Sequence, residues 1–519
     1  MLLAIGSGAA LALSFPNYHL FLLAWVAVGM LILSSLGAGL AEAPLYGYLH
    51  GLVFYPLCLP WIDTVMRQYG SIDPWTAAGI LGLLTAVFSL FTAVFSWGIA
   101  LASGKGGSAK GAASACLLAP FLWVALEFIR AHLPIISFPW NLTGYVAGGN
   151  LALVQLVTLT GIYGLSFVIV AFNSLVAYAF VTGRQRVWKT TLVFTGVLIL
   201  IASTCGYLVP LSAPHHVAHL VQTNFPQSES YPSNWLEIHA GELDQLEDLS
   251  VSSAEKATGL PGVPSLPSLI IWPEVPAPFS FQEPLFAQRA VRIARDSSSY
   301  FLVGIVDWKR DPAGKWLASN SAVLLDPHGQ RIFTYDKIHL VPFGEYVPLR
   351  RWLTFAGRLT ADISDFTPGS VPGVGKVPSG SFGVFICYEA IFASEVRRFT
   401  LNGAELLVNI SNDGWFGRSS APAQHLMMAR VRAVENRRWL LRDTNNGFTV
   451  AVDPYGRIVA GLATDIRGEL DAPYDFRSGL TPYARWGDWF AWLCVVASLA
   501  LAGFAVRSRE VRASPASRR

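Results

Sequence analysis

The stretch Phe382-Gly-Val-Phe-Ile-Cys-Tyr-Glu-Ala-Ile-Phe392 runs an apolar, β-branched strand pattern directly into a cysteine and then into a helix-like pattern. Cys387 is therefore predicted to lie at a strand end, where loops on a rigid scaffold carry function. The chain has five cysteines, and the other four lie in long apolar runs. Cys387 has no disulfide partner in the polar part of the chain, so it is either a small buried apolar residue or a nucleophile.

Two further predicted strands also end at ionisable residues. In Leu269-Ile-Ile-Trp-Pro-Glu274, a proline that cannot continue the ladder closes an apolar strand just before Glu274. Arg331-Ile-Phe-Thr-Tyr-Asp-Lys337 shows strand alternation that stops at Lys337. Either residue alone is compatible with an ordinary solvated turn residue. Glu, Lys and Cys at three strand ends together favour a catalytic site.

The contexts of these residues resemble a known superfamily. Trp-Pro-Glu274, the run from Lys337 through His-Leu-Val-Pro-Phe-Gly to Glu345, and Ile-Cys387-Tyr-Glu389 are similar to the Glu-Lys-Cys triad motifs of the carbon–nitrogen hydrolase (nitrilase) superfamily. Asn409-Ile-Ser-Asn-Asp-Gly-Trp-Phe-Gly417 and Arg430-Val-Arg-Ala-Val-Glu-Asn436 match it too. The resemblance implies a four-layer αββα sandwich with Glu274, Lys337 and Cys387 as the triad.

Composition and charge indicate an integral membrane protein. Of 519 residues, 53% are hydrophobic and only 14% are charged, and the mean hydropathy is +0.44, which is too apolar for an ordinary soluble enzyme. Met1 to Tyr69 contains a single cation, Arg67, whereas charges are frequent from about His215 to Arg485. The polar part contains no Lys/Arg block of the kind that would indicate nucleic-acid binding. Its single cysteine excludes a disulfide framework.

Eight apolar runs predict a helical membrane bundle of about eight spans. The first lacks the basic start of a signal peptide, so it is interpreted as a membrane helix. The runs are Met1–Ser14, Leu20–Gly37, Leu45–Ile62, Trp75–Ser103, Ala112–Ala131, Leu151–Thr182, Thr190–Val209 and Trp489–Val506. Three domains follow, at residues 1–210 (spans one to seven), 211–486 (globular domain) and 487–519 (last span and basic tail).

The basic loops set the predicted orientation. If the chain crosses the membrane eight times, the basic loops and the basic tail all lie on the same side of the membrane. By the positive-inside rule that side is the cytoplasm. Both termini are then cytoplasmic and the globular domain is outside. The loops and the tail contain Lys105 and Lys110, then Arg184, Arg186 and Lys189, and finally Arg507, Arg509, Arg512, Arg518 and Arg519.

The polar part alternates short strands with helices and predicts an α/β layered domain. Strands are expected at His216–Gln222, Leu269–Trp272, Phe301–Val306, Ser321–Leu325, Arg331–Tyr335, Phe382–Ile386, Glu405–Ile410 and Phe448–Val452. Helices are expected at Trp235–Leu249, Pro284–Arg295 and Ala421–Arg437.

The residue types suit covalent acyl transfer without a metal or cofactor. A free thiol has a pKa of about 8.5 and a carboxylate of about 4.3, so proton transfer between them is uphill. Burial of Glu274 would raise its pKa and the Lys337 ammonium would stabilise a thiolate, which makes Glu274 the general base. Lys337 and the backbone N–H of Tyr388 are the expected oxyanion donors, and Glu345 and Glu389 are expected to be supporting residues.

Over almost its whole length the chain resembles the apolipoprotein N-acyltransferase family, in the spans, Asn224-Phe-Pro-Gln-Ser228, the triad motifs and Gly479-Leu-Thr-Pro-Tyr-Ala-Arg485. The resemblance implies a bacterial inner-membrane monomer with a periplasmic catalytic domain. It would move an acyl chain from phosphatidylethanolamine, through Cys387, to the α-amino group of a diacylglyceryl apolipoprotein. Tyr231 stands where the family commonly has Trp. The predicted substrate-binding residues are Tyr231, Trp235 and Trp415.

Three other function classes match parts of the pattern to different degrees. A membrane-anchored amidase or nitrilase would share the triad and would act on a water-soluble amide. A transporter with a regulatory domain would need ionisable groups at mid-membrane and paired broken helices, neither of which the spans show. A purely structural role would not explain why Glu274, Lys337 and Cys387 occur together.

Overall fold

The computed structural model describes residues 1–16, 18–70, 72–134, 137–183, 206–228, 231–258, 268–342, 344–346 and 366–513. The chain divides into two compact units. The helical unit comprises Met1–Asp63, Asp73–Val209 and Trp486–Arg519, and the sandwich unit comprises Thr64–Ile72 and Pro210–Arg485. The short segment Thr64–Ile72 thus clusters with the sandwich unit although it lies between two parts of the helical unit in the sequence.

In the described ranges, eight helices precede the sandwich in the chain. They are α1 (Leu2–Leu13), α2 (Ala24–Ser35), α3 (Ala43–Cys58), α4 (Pro60–Gln68), α5 (Pro74–Ser103), α6 (Ala109–His132), α7 (Val157–Thr160) and α8 (Ile162–Val181). The later helices are α9 (Trp235–Ile238), α10 (Ala240–Thr258), α11 (Pro284–Asp296), α12 (Ala393–Leu401), α13 (Ala421–Asn436), α14 (Pro482–Trp486) and α15 (Trp489–Ala513).

Four helices in the described part of the chain are long and apolar enough to cross a membrane: Pro74–Ser103, Ala109–His132, Ile162–Val181 and Trp489–Arg507. The bent pair α3 and α4 makes a fifth if it counts as one span. The first two predicted spans are represented by shorter apolar helices. In the predicted span Leu151–Thr182, the short helix α7 comes first, and the helix long enough to cross a membrane begins only at Ile162. Most of the predicted span Thr190–Val209 lies outside the described residues, so the number eight stays a prediction.

Small residues allow the apolar helices to pack closely. A Cβ on Gly47 of α3 would lie 2.0 Å from the Thr92 carbonyl oxygen of α5, and one on Gly51 would lie 2.5 Å from Ser89 Oγ. Such close approach of helix backbones is typical of membrane helix pairs, where small residues replace large ones at the interface. The membrane bundle predicted from composition is confirmed in this coarse sense.

Two six-stranded sheets form the sandwich unit, in the orders β12-β1-β2-β3-β4-β5 and β11-β10-β9-β8-β7-β6. The strands are β1 (His216–Gln222), β2 (Leu269–Ile271), β3 (Tyr300–Arg310), β4 (Trp316–Leu325), β5 (Arg331–Asp336), β6 (Val374–Val377), β7 (Gly380–Ile386), β8 (Leu406–Ser411), β9 (Trp439–Thr444), β10 (Val450–Val452), β11 (Ile458–Gly461) and β12 (Gly468–Tyr474).

The apolar residues of the sandwich unit form two clusters. Side chains from both sheets, such as Leu220 of β1 and Leu407 of β8, form one of them. The other lies on the opposite face of the first sheet, where Ile270 and Phe301 pack with side chains of α10 and α11. Alternate residues of each strand therefore face different layers, as the pleat requires. The predicted αββα arrangement is confirmed.

All eight predicted strands are present, and β6, β9, β11 and β12 were missed. β9 contains Arg442 and Asp443, and all six of its residues are buried, so it lacks the alternation that marks a half-exposed strand. β11 is largely exposed and β12 contains Glu, Asp and Pro, which are depleted in strands. The predicted helix Trp235–Leu249 is interrupted at His239, where α9 ends.

Candidate active site

The ends of β2, β5 and β7 bring the three predicted catalytic residues into a buried site. Lys337 Nζ lies 2.9 Å from Glu274 Oε1 and 2.9 Å from Glu345 Oε1. Lys337 is 1% exposed, Glu274 5% and Cys387 6%, so water screens these charges very little. Both Glu274 and Lys337 act electrostatically on the Cys387 thiol.

Two asparagines hold Glu274 in place, and the sequence reasoning missed both. Asn320 Nδ2 donates to Glu274 Oε1 at 2.8 Å and to Glu345 Oε1 at 2.7 Å. The backbone N–H of Asn412 donates to Glu274 Oε2 at 2.9 Å. Both carboxylate oxygens of Glu274 are therefore engaged. Asn320 directly precedes the predicted strand Ser321–Leu325, and its burial is evident only from the structure.

Opposing effects set the charges of the site. Burial lowers the pKa of Lys337, but the carboxylates of Glu274 and Glu345 outweigh it and hold that pKa well above its usual value. Burial raises the pKa of the Cys387 thiol, Glu274 raises it further, and Lys337 opposes both. The directions of the two pKa shifts correspond to a neutral Cys387 thiol beside a protonated Lys337. The ammonium of Lys337 therefore does not offset the effect of burial on the thiol.

The backbone of Cys387 has a φ of +47°, a left-handed conformation that residues with a Cβ rarely adopt. A short 3-10 turn, Cys387–Ile391, begins there. Glu389 Oε2 accepts from the Ile386 N–H at 2.6 Å, and its Oε1 accepts from Tyr335 OH and Ile338 N–H, both at 2.7 Å. Burial raises the pKa of Glu389 to about 7. Glu389 thus connects the Cys387–Ile391 turn to the end of β5 by hydrogen bonds.

The Glu274 turn approaches β3 so closely that only a glycine fits there. A Cβ on Gly304 would lie 2.4 Å from the Pro273 carbonyl oxygen and 2.7 Å from Glu274 Cα. The next residue, Val275, has a φ of +23°, which is strained for a β-branched residue. Backbone atoms surround Gly304, so the turn rather than a flexible side chain would have to move.

With Glu274 as the predicted general base, Gly304→Ala should displace it and reduce enzyme activity by about 10²-fold, since a shift near 1 Å at a catalytic group costs about that much. The measurement is the initial rate at saturating substrate, together with the thermal unfolding temperature. Gly241→Ala is the matched control, because nothing lies within 4 Å of its Cβ position. Equal activity in the two variants would contradict a positional role for Gly304.

The three predicted substrate-binding aromatic residues have different surroundings. Trp235 is 5% exposed and stacks on His239 with ring centroids 4.3 Å apart. Tyr231 packs edge-on against Trp235 at 5.9 Å and is partly buried. Trp415 is 36% exposed and lies edge-on to Tyr69 at 5.4 Å. Trp235 is therefore part of the core, whereas the Trp415 ring is partly exposed. Contact of all three residues with substrate stays a prediction.

One group in the described ranges has the composition of a metal site. The Nδ1 atom of His219 lies 3.2 Å from Glu469 Oε1 and 2.8 Å from Asp471 Oδ1. The group lies on β1 and β12, not at the strand ends that hold the triad. His219 already joins the two carboxylates by hydrogen bonding, so the arrangement needs no ion to account for it.

Comparisons with known proteins agree with the two units. The carbon-nitrogen hydrolase family model matches residues 243–476, and that of the apolipoprotein N-acyltransferase N-terminal domain matches residues 7–175. A solved amidase from Nesterenkonia sp. is 22% identical and covers 51% of this chain and 94% of its own, with a TM-score of 0.36.

Two curated relatives match nearly end to end. The apolipoprotein N-acyltransferase of Geobacter metallireducens is 36% identical over 98% of this chain and 96% of its own length. That of Methylococcus capsulatus is 31% identical over 94% of this chain and 93% of its own. The chain belongs to the apolipoprotein N-acyltransferase family.

Proposed function

We propose that this protein transfers an acyl chain from phosphatidylethanolamine, through a thioester on Cys387, to the α-amino group of the S-diacylglyceryl cysteine of apolipoproteins. This is the last step of lipoprotein maturation. The observation that carries the proposal is the buried Glu274–Lys337 pair acting on a neutral Cys387 thiol, in a chain with near full-length relatives of this family. No residue role in the proposal depends on a metal or cofactor.

In the first half-reaction, Glu274 takes the thiol proton while Cys387 Sγ attacks the ester carbonyl of the phospholipid. The Lys337 ammonium and the Tyr388 N–H stabilise the oxyanion that develops. The carbon–oxygen bond then breaks, and Glu274 returns the proton to the departing lysophospholipid oxygen. The neutral resting thiol makes this general-base route preferable to attack by a preformed thiolate.

In the second half-reaction, the α-amino group of the acceptor attacks the thioester carbonyl. Glu274 takes one proton from the amine, the carbon–sulfur bond breaks, and the Cys387 sulfur is reprotonated. Lys337 stays protonated in both halves, because Glu274 and Glu345 both face its ammonium. The products are an amide and the free enzyme, so the two substrates use one nucleophile in turn.

The lipid substrates follow from the membrane helices and from the family. A water-soluble amide would not require a membrane anchor, whereas phospholipid and diacylglyceryl peptide are both confined to a membrane. Among the predicted binding residues, the exposed Trp415 ring is the one best placed to contact an acyl chain. Tyr231 and Trp235 would then support the neighbouring surface.

One assay separates this function from the amidase alternative. Purified protein is incubated with phosphatidylethanolamine and a diacylglyceryl cysteinyl peptide, and in parallel with a water-soluble amide. We expect the peptide mass to rise by one acyl group and no ammonia to be released. Ammonia release without peptide acylation would reject acyl transfer in favour of amide hydrolysis.

We also propose the inner-membrane location, the cytoplasmic termini, the periplasmic sandwich unit, the domain boundaries given above and a monomeric state. The positive-inside rule supports the orientation. A periplasm-dependent reporter fused after Val209 should be active, and the same reporter fused after Arg519 should be inactive. The reverse pattern would contradict the orientation.

A further inference from the structure

A side chain that the mechanism above does not use holds the carbonyl of Cys387. His425, on α13, is fully buried, and its Nε2 lies 2.9 Å from the Cys387 carbonyl oxygen. A carbonyl oxygen only accepts hydrogen bonds, so Nε2 must carry a proton. The helix α13 thus anchors the Cys387–Ile391 turn by one hydrogen bond to the carbonyl of its first residue.

The other ring nitrogen of His425 faces a cation. His425 Nδ1 lies 3.1 Å from Nη2 of Arg442 and 3.3 Å from Asp413 Oδ1. Nε2 already carries a proton, so in a neutral ring Nδ1 has none and accepts from the guanidinium, which only donates. Burial and the Arg442 charge lower the pKa of His425, which agrees with a neutral ring.

A buried ion pair holds this tautomer. Arg442 Nη2 lies 2.8 Å from Asp413 Oδ2, and neither residue is more than 2% exposed. Ser411 Oγ donates to Asp413 Oδ1 at 2.9 Å. Ser411, Asp413 and Arg442 therefore form one buried hydrogen-bonded group, and His425 connects that group to the carbonyl oxygen of Cys387.

The planarity of one peptide unit connects His425 to the oxyanion. The carbonyl of Cys387 and the N–H of Tyr388 belong to the same trans peptide, so they lie in one plane and point in opposite directions. Fixing the carbonyl toward His425 fixes the N–H on the other side. Tyr388 is in the first turn of its 3-10 segment, where N–H groups have no partner inside the helix.

We propose that His425 is a positioning residue that orients the Tyr388 N–H toward the oxyanion by holding the Cys387 carbonyl. Arg442 and Asp413 keep the imidazole proton on Nε2. The inference rests on the proposed function, since an oxyanion forms only when Cys387 attacks a carbonyl. Without the His425 bond, the peptide is free to rotate away, because the left-handed conformation of Cys387 is sparsely populated.

The test compares two reactions of the same sulfur in the full-length protein. Acyl loading from phosphatidylethanolamine passes through an oxyanion, whereas alkylation by iodoacetamide displaces iodide from a saturated carbon and does not. His425→Leu should slow acyl loading about 10²-fold, the usual cost of one oxyanion donor, and leave the alkylation rate unchanged. His425→Gln, whose amide keeps an N–H donor, should restore part of the loading rate.

The control is His328→Leu, at an exposed position in the β4–β5 turn, and it should match the wild type in both reactions. Equal losses of loading and alkylation in His425→Leu would overturn the inference, because they would indicate general damage to the nucleophile. An undiminished loading rate in that variant would overturn it too. A wild-type protein that alkylates but never loads would reject the acyl-transfer proposal and the inference with it.

Discussion

Phospholipid alone should leave the wild-type protein heavier by one fatty acyl group, and Cys387→Ala should remain unmodified and inactive. The physical reason is the order of the half-reactions, since the thioester forms before the amine is needed. Intact-protein mass spectrometry after incubation with phosphatidylethanolamine measures the adduct. Cys494→Ala is the matched control, because Cys494 is a buried thiol on α15, and it should load like the wild type.

The chemistry of the adduct distinguishes a thioester from other modifications. Neutral hydroxylamine should remove it, and a diacylglyceryl peptide with a free α-amino group should discharge it. A peptide whose amine is acetylated should leave the adduct intact. Steady-state rates should show a ping-pong pattern. If the unmodified protein acylates peptide and Cys387→Ala keeps activity, the covalent route is wrong at its first step.

Lys337→Arg should lower the loading rate by about 10²-fold or more, the loss expected when an oxyanion donor is misplaced. The Lys337 ammonium is a compact charge held 2.9 Å from each of two carboxylate oxygens. A guanidinium is planar and bulkier, so it keeps the charge and cannot occupy the same point. The measurement is the single-turnover rate of acyl loading at saturating phospholipid.

Two companion variants separate catalysis from stability. Lys309 forms a partly exposed pair with Asp336 at 2.6 Å, so Lys309→Arg should load like the wild type. Lys337→Met should also lower the unfolding free energy, by roughly 3–5 kcal/mol, because it leaves buried carboxylates without their cation. Near-normal turnover in Lys337→Arg would argue against direct contact of this ammonium with the oxyanion.

The sequence predicted that Glu274, Lys337 and Cys387 lie at strand ends, and the resemblance to the nitrilase superfamily implied that they form a triad. Strand ends are local features, and the motifs around Glu274, Lys337 and Cys387 are contiguous. The groups that support Glu274 are not marked by such local features. Asn320 reaches Glu274 from β4, and Asn412 reaches it from beyond β8, so only the tertiary fold brings them together. No local pattern marks such partners.

The backbone conformation of Cys387 was unpredictable for a related reason. A left-handed cysteine is locally unfavourable. It is held by the bond from the Ile386 N–H to Glu389 within the same turn and by the bond from His425 of α13 to the Cys387 carbonyl. Likewise, Arg442 and Asp443 make β9 look unlike a buried strand, although Arg442 pairs with Asp413. Charged residues in a core are recognisable only once their partners are known.

The segment Thr64–Ile72 has a consequence for any attempt to simplify the protein. Tyr69 OH donates to the carbonyl of Gly414, two residues from Asn412, at 2.9 Å, and the Tyr69 ring lies against Trp415. A water-soluble fragment that begins at Pro210 would lack Tyr69. The side of the Trp415 ring that Tyr69 covers would then be exposed. Inhibitor screening on such a fragment would select compounds for a loop that the complete enzyme holds differently.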